Sequence, residues 1–193
     1  MFQLCCLLLC AFAEFAVAAN VPLQDFYREV WTTRDGLSHN TVNSIQQADD
    51  GYLWFAGWEG AARFDGRQFD LFHRNQLNQL ADSGILVLAK RANGALLLGG
   101  SRGGLVQLQN DTARQLPAVN SQVNDILEDQ FGQLWVTTEG SGLFRLNAEG
   151  QIAQFSVESQ LRTNIAHQMT QTEDGKIWLA TANGLFWYDP ALA

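Results

Sequence analysis

Between residues 42 and 190 the hydrophobic positions fall in short runs, rich in β-branched and aromatic side chains and cut off by Gly, Asp or Asn. Short runs between turn residues predict β-strands. No stretch of this region keeps the spacing of an amphipathic helix. The runs also repeat. "GYLWFAGWEGAARF" (51–64), "GALLLGGSRGGLVQL" (94–108), "GQLWVTTEGSGLFRL" (132–146) and "GKIWLATANGLFWY" (175–188) share one frame. Its anchors are Trp54, Leu97, Trp135 and Trp178, at spacings of 43, 38 and 43 residues. Gly51, Gly94, Gly132 and Gly175 stand three positions before the anchors, and Gly60, Gly104, Gly142 and Gly184 close the loop after them.

Each unit reads as four strands. A strand such as "VNSIQQ" or "VNDILE" leads into a glycine turn ("DDG", "ANG", "QFG" or "EDG"), then the anchor strand, a loop, a third strand and an outer fourth. Glycine supplies the positive φ that such tight turns require. A period near 40 residues with four strands per unit predicts an all-β protein, a β-propeller of four-stranded antiparallel sheets. The units span about 42–72, 85–116, 123–155 and 165–190. The anchor tryptophans would lie as apolar plates between blades, and the pairs "AG", "GG", "TT" and "AT" after the anchors would keep the inner strands slim. "QDFYREVW" (24–31) has the look of an outer strand that closes the last blade. Two arrangements stay open at this point: a partial propeller forming an open arc, or a compact four-blade ring closed by 24–31.

Residues 1–19 differ in kind. An apolar run from Leu4 to Phe12, followed by "AVAA" with Ala16 and Ala18 in an A-x-A pattern, reads as a secretory signal peptide. Cys5, Cys6 and Cys10 all fall inside it, so an exported mature chain would have neither a disulfide framework nor a thiol nucleophile. The net charge of −8, with no Lys/Arg cluster, argues against nucleic acid and against an anionic membrane surface as partners.

The stretch "FYREVWTTRDGLSHNTV" (26–42), followed by units of the form "DGYLWFAGWEG", resembles the two-component regulator propeller family across residues 26–190. That resemblance implies a periplasmic sensor region of a bacterial signalling receptor. It further implies additional blades, a β-sandwich, an inner-membrane helix and a cytoplasmic output domain beyond this chain, which would then be an amino-terminal fragment. The output would be a diguanylate cyclase or a histidine kinase, and "FAGWEGAARFDG" resembles the diguanylate-cyclase-linked branch. A homodimer of the full-length receptor is also implied. Leu97, where tryptophan is usual, and Ala61, where Leu is usual, depart from the pattern.

No catalytic constellation is visible. His39, His73 and His167 have no metal-ligand spacing, and neither a nucleophile elbow nor a P-loop is present. The glycines of "LLLGGSRGGL" (96–105) read as turn glycines, and Asp49–Asp50 and Glu173–Asp174 as hairpin turns. No cofactor is expected. What remains is binding at the loops before the first strand and after the anchor strand, which emerge on one face of a propeller. The candidates are His39, Asn40, Trp58, Glu59, Arg102, Glu139, His167 and Asn183, with Ser101 and Asn164 nearby. Trp58 stands where the other units have polar or small residues; packing on the neighbouring blade is its structural alternative. A small molecule, a sugar or a peptide would be held there. The rival readings are an exported scaffold for protein interaction and a propeller enzyme acting on polysaccharide.

Overall fold

The computed structural model describes residues 27–72, 84–156 and 161–192. The signal-peptide segment 1–19 and residues 24–26 of the expected closing strand lie outside the described residues, as does His73. The described residues fall into two units, 27–30 and 31 onward. Within the described part of the first, the Tyr27 hydroxyl donates to the Glu29 carboxylate.

Among the described residues, fifteen strands make four antiparallel sheets in sequence order. The first sheet holds β1 (Val42–Gln47), β2 (Leu53–Gly57), β3 (Gly60–Phe64) and β4 (Phe69–Phe72). β5 (Ile85–Lys90), β6 (Leu96–Gly100), β7 (Leu105–Gln109) and β8 (Thr112–Leu116) form the second. The third holds β9 (Val123–Glu128), β10 (Leu134–Thr138), β11 (Leu143–Leu146) and β12 (Ile152–Phe155). β13 (Ala166–Gln171), β14 (Ile177–Thr181) and β15 (Gly184–Tyr188) form the fourth, three-stranded among the described residues. A 3-10 turn at Pro190–Leu192 follows. Innermost strands neighbour one another, β1 beside β5, β5 beside β9 and β9 beside β13. This is a run of β-propeller blades.

Consecutive blades meet through three apolar cores of the same design. Trp54, Ala56 and Ala61 of the first sheet pack on Ile85, Leu88, Leu96 and Leu98 of the second. Leu97 and Leu105 of the second meet Val123, Ile126, Leu134 and Val136 of the third. Trp135 and Leu143 of the third meet Met169, Ile177 and Leu179 of the fourth. Strand alternation explains it: the anchor faces the following blade, and its two neighbours in the strand face the preceding one. The small pairs let the inner strands close up. A Cβ on Gly99 would stand 2.6 Å from Val123 Cγ1 of the next blade.

The end faces differ from these internal ones. Ile45, on the leading face of the first sheet, is 59% exposed, whereas its counterpart Leu88 is 6% exposed. On the trailing face of the fourth sheet Leu185 is 66% exposed, against 4% for its counterpart Leu143. The leading face is partly covered by Trp31, whose ring lies 5.2 Å from Phe64 and 6.4 Å from Phe69. Tyr27–Trp31 forms no strand. The sequence reading expected an outer strand there. Trp31 itself stays exposed and meets the first sheet through ring contacts with Phe64 and Phe69, not through ladder hydrogen bonds.

After Trp31 the chain makes a tight loop, with the Leu37 and Asp35 N–H groups donating to the Thr32 carbonyl. Gly36, at φ +109°, permits this: a Cβ there would approach Phe69 Cβ to 3.0 Å in a conformation unfavourable to other residues.

Candidate functional site

One end of every blade carries the loops that lead into the first strand and those that link the second to the third. His39 and Asn40 precede β1, Trp58 and Glu59 join β2 to β3, and Arg102 lies between β6 and β7. Glu139 lies between β10 and β11, and Asn183 between β14 and β15. His167 sits inside β13, two residues from its start by inclusive count. All eight side chains are exposed or half-buried.

Local structure accounts for much of this set. The Thr41 N–H donates to His39 Nδ1 at 2.9 Å, and the Thr33 N–H to Asn40 Oδ1 at 2.9 Å, so both residues brace the leading loop. Trp58 is 45% exposed and lies across the junction of the first two blades. A Cβ on Gly84 would meet its Cε3 at 3.1 Å and Ser101 Oγ at 2.9 Å. Asn124 Nδ2 donates to Glu139 Oε2 at 2.9 Å, at the third blade. Asn183 Nδ2 donates to the Arg162 carbonyl at the fourth. The structure therefore brings together His39 with Gly57, and Trp58 with Ser101; Glu139 and Asn183 brace the later blades.

His167 has a role that its residue type conceals. The pairing of first and second strands breaks register at one place in every blade, leaving Asn43, Leu86, Asn124 and His167 as the extra residue. Such a bulge re-aims the side chain it carries. Asn43 Nδ2 donates to the Ile85 carbonyl at 3.0 Å, and Asn124 Nδ2 to the Ala166 carbonyl at 3.0 Å, the matching position of the next blade in both cases. One residue on, the Leu88 N–H donates to Ser44 Oγ at 3.1 Å and the Met169 N–H to Asp125 Oδ2 at 2.9 Å. These polar stitches join the first blade to the second and the third to the fourth. Burial pushes the Asp125 carboxyl above its ordinary pKa, against the pull of the Met169 and Ile126 amides.

The opposite end carries a feature that sequence reasoning missed. A cavity of about 530 Å³ opens between the first two blades, lined by Asp49, Tyr52, Trp54, Arg63, Asn93 and Asp111 among others. The Arg63 guanidinium lies 4.6 Å above the Tyr52 ring and pairs with Asp111 at 2.9 Å and Asp70 at 3.1 Å. Burial works against its charge, but the Asp70 hydrogen bond and the two carboxylates prevail and raise its pKa. Its buried Nε has no hydrogen-bond partner. Arg145 occupies the matching place in the third blade, 5.7 Å from the Trp135 ring. The available clue was an arginine in the third strand, opposite the anchor, in "AARF" and again in "LFRL".

Among the described residues, no group of three or more His, Cys, Asp or Glu is placed to hold a metal ion. Nor is any helix among them long and apolar enough to cross a membrane. Asp50 and Asn93 accept backbone N–H groups within their hairpin turns, and Asp174 is ion-paired to Lys176, with its pKa lowered to about 2 chiefly by that hydrogen bond.

No curated protein sequence matches the chain. Several solved structures share its fold. The extracellular domain of a hybrid two component system from B. thetaiotaomicron aligns with TM-score 0.67 at 22% identity, over 82% of this chain and 22% of that one. A one component system's extracellular domain from the same organism aligns with TM-score 0.68 at 22% identity and the same coverages. Virginiamycin B lyase from Staphylococcus aureus aligns with TM-score 0.59 at 16% identity, over 75% of this chain and 54% of the lyase. At such identities the likeness shows the β-propeller fold alone, and the chain spans only 22% of the length of the two extracellular domains. At the level of sequence, residues 36–59 and 118–140 match the family model of the two component regulator propeller.

Proposed function

We propose that this chain is the propeller part of a ligand-sensing module in an exported bacterial signalling receptor. The observation that carries the reading is where the family matches fall. Residues 36–59 run from the leading loop through the anchor strand to Trp58 and Glu59, and 118–140 run over the same elements to Glu139. Both segments thus begin and end on the loop face. The ligand class is a small molecule, sugar or peptide, bound beside Trp58 with Glu59, Arg102 and Glu139 as polar contacts. The module sits in the periplasm, and a diguanylate cyclase or histidine kinase encoded beyond this chain reads its state. The ligand acts by binding one arrangement of the blades better than another, since only differential affinity shifts an equilibrium. Catalysis by this chain is not part of the reading.

The test is a thermal-shift screen of the purified protein against sugars, short peptides and small organic acids. A ligand should raise the melting temperature and change the fluorescence of Trp58. Trp58→Ala and Glu139→Gln should abolish that shift while leaving the ligand-free melting temperature within a few degrees. A shift unaffected by both substitutions but lost in Asp111→Ala would move the site to the opposite end and overturn the loop-face assignment.

A further inference from the structure

The cavity between the first two blades exists because one side chain there is small. In the second blade Arg91 fills the equivalent place. Its guanidinium donates to Glu128 and the Gly132 carbonyl of the third blade and to Gln107 of its own, and about 160 Å³ is left open around it. The first blade has Ala48 there, three residues before Gly51 as Arg91 is before Gly94, and the space widens to about 530 Å³. That volume falls within the range of small-molecule sites.

Ala48 also leaves a donor uncovered. In the third blade the matching residue is Asp129, which takes the indole N–H of Trp135 at 2.8 Å. Trp54 lines the cavity, and its indole N–H has no acceptor among the described residues. Arg63, which lines the same cavity, adds a buried Nε without a partner. The rim, in contrast, is made of acceptors on both blades. Asp50 gives one carboxylate oxygen to the Tyr52 N–H and Asp111 gives one to Arg63, so each has a second oxygen to offer. Both side chains are exposed.

Donors in the wall and carboxylates at the rim select the chemistry of a ligand. An anion would suit the wall but meet Asp49, Asp50 and Asp111 on its way in. An organic cation would suit the rim but accept nothing from Trp54. A hydroxyl group does both, accepting through its oxygen and donating through its proton. We propose that this cavity binds a neutral polyhydroxyl compound, of mono- or disaccharide size, across the first two blades. Ligand hydroxyls accept from the Trp54 indole N–H and donate to Asp50 and Asp111. The site lies at the opposite end from Trp58 and Glu139, and it stands whether or not the loop face binds a ligand.

Calorimetric titration of the purified chain with glucose, galactose, maltose and cellobiose reads the outcome, with acetate and putrescine as charged controls. At least one of the sugars should give saturable heat, and neither control should. Asp50→Ala, at an exposed position, should weaken that binding about tenfold. Ala48→Gln, which fills the gap and offers Trp54 an acceptor, should abolish it with an unchanged far-ultraviolet dichroism spectrum. Trp58→Ala should leave it intact. Four results would each overturn the proposal: no saturable heat from any of the sugars, a charged control that binds in their place, binding that survives both cavity substitutions, or binding lost in Trp58→Ala, which would assign the sugar to the loop face.

Discussion

Trp135 and Trp178 stand at the same place in neighbouring blades and meet opposite fates. Trp135 is fully buried, packs on Phe155 and Tyr188, and donates its indole N–H to the buried Asp129 carboxylate at 2.8 Å. Trp178 lies half-buried beside the exposed Leu185. The residue type is identical; among the described residues the difference is the fourth-sheet core that Trp135 packs into. An anchor residue in this fold stores little stability in its own sheet; its contribution is realised in the contact with the next.

Trp135→Ala tests that contrast most severely. It removes a large side chain from a packed core and leaves Asp129 without its indole donor, and the expected loss is about 3–5 kcal/mol in urea unfolding. Trp178→Ala should cost the monomeric chain about 1 kcal/mol. Equal losses would mean that each blade, and not each junction, is the unit of stability.

The polar stitch comes next. Asn124→Ala removes the hydrogen bond to the Ala166 carbonyl at the third junction together with that to Glu139, for an expected loss of about 1–3 kcal/mol by the same measurement. Leu86→Ala, at the equivalent bulge of a junction packed by apolar residues, removes no such bond; a larger loss there would show that the bulge matters for packing alone. Trp31→Ala sharpens the comparison at the other end of the row. Loss of its two ring contacts should cost about 0.5–1.5 kcal/mol, and the fluorescence of the folded state should fall.

The smallest effect is a pH dependence. Because the Asp125 carboxyl has a raised pKa in the folded chain, the folded state holds that proton more tightly than the unfolded one. Its contribution to stability is therefore present at low pH and lost as the pH rises from the ordinary carboxylate range through the raised value. Asp125→Asn should flatten that part of the profile of unfolding midpoint against pH. A variant profile that parallels the wild type would remove Asp125 from the account.

The architecture was legible in the sequence because turn glycines and bulky anchors are fixed by backbone geometry and by packing between repeats. Gly132 has φ +77° in its hairpin, and Trp54, Leu97 and Trp135 are all buried between blades. The loop-face residues were legible as to position but not as to role. Asn40 reads as a ligand candidate, and nothing in its residue type foretells that its amide oxygen accepts the Thr33 N–H. The bulge was hidden because Asn43, Leu86, Asn124 and His167 share no chemistry; only the ladder register aligns them. The Arg63 cavity was hidden because Tyr52, Asp70 and Asp111 reach that guanidinium from three separate segments.

The stitch has a direction, and direction matters for how such a chain changes over generations. Asn43 and Asn124 each donate a hydrogen bond forward, to a carbonyl of the blade that follows. A duplicated or deleted stretch of gene covering one whole period hands every donor a new acceptor of the same kind, wherever the cut falls. A change of half a period strands a donor and inverts a sheet. Blade number is thus a quantity that heredity can alter in whole steps.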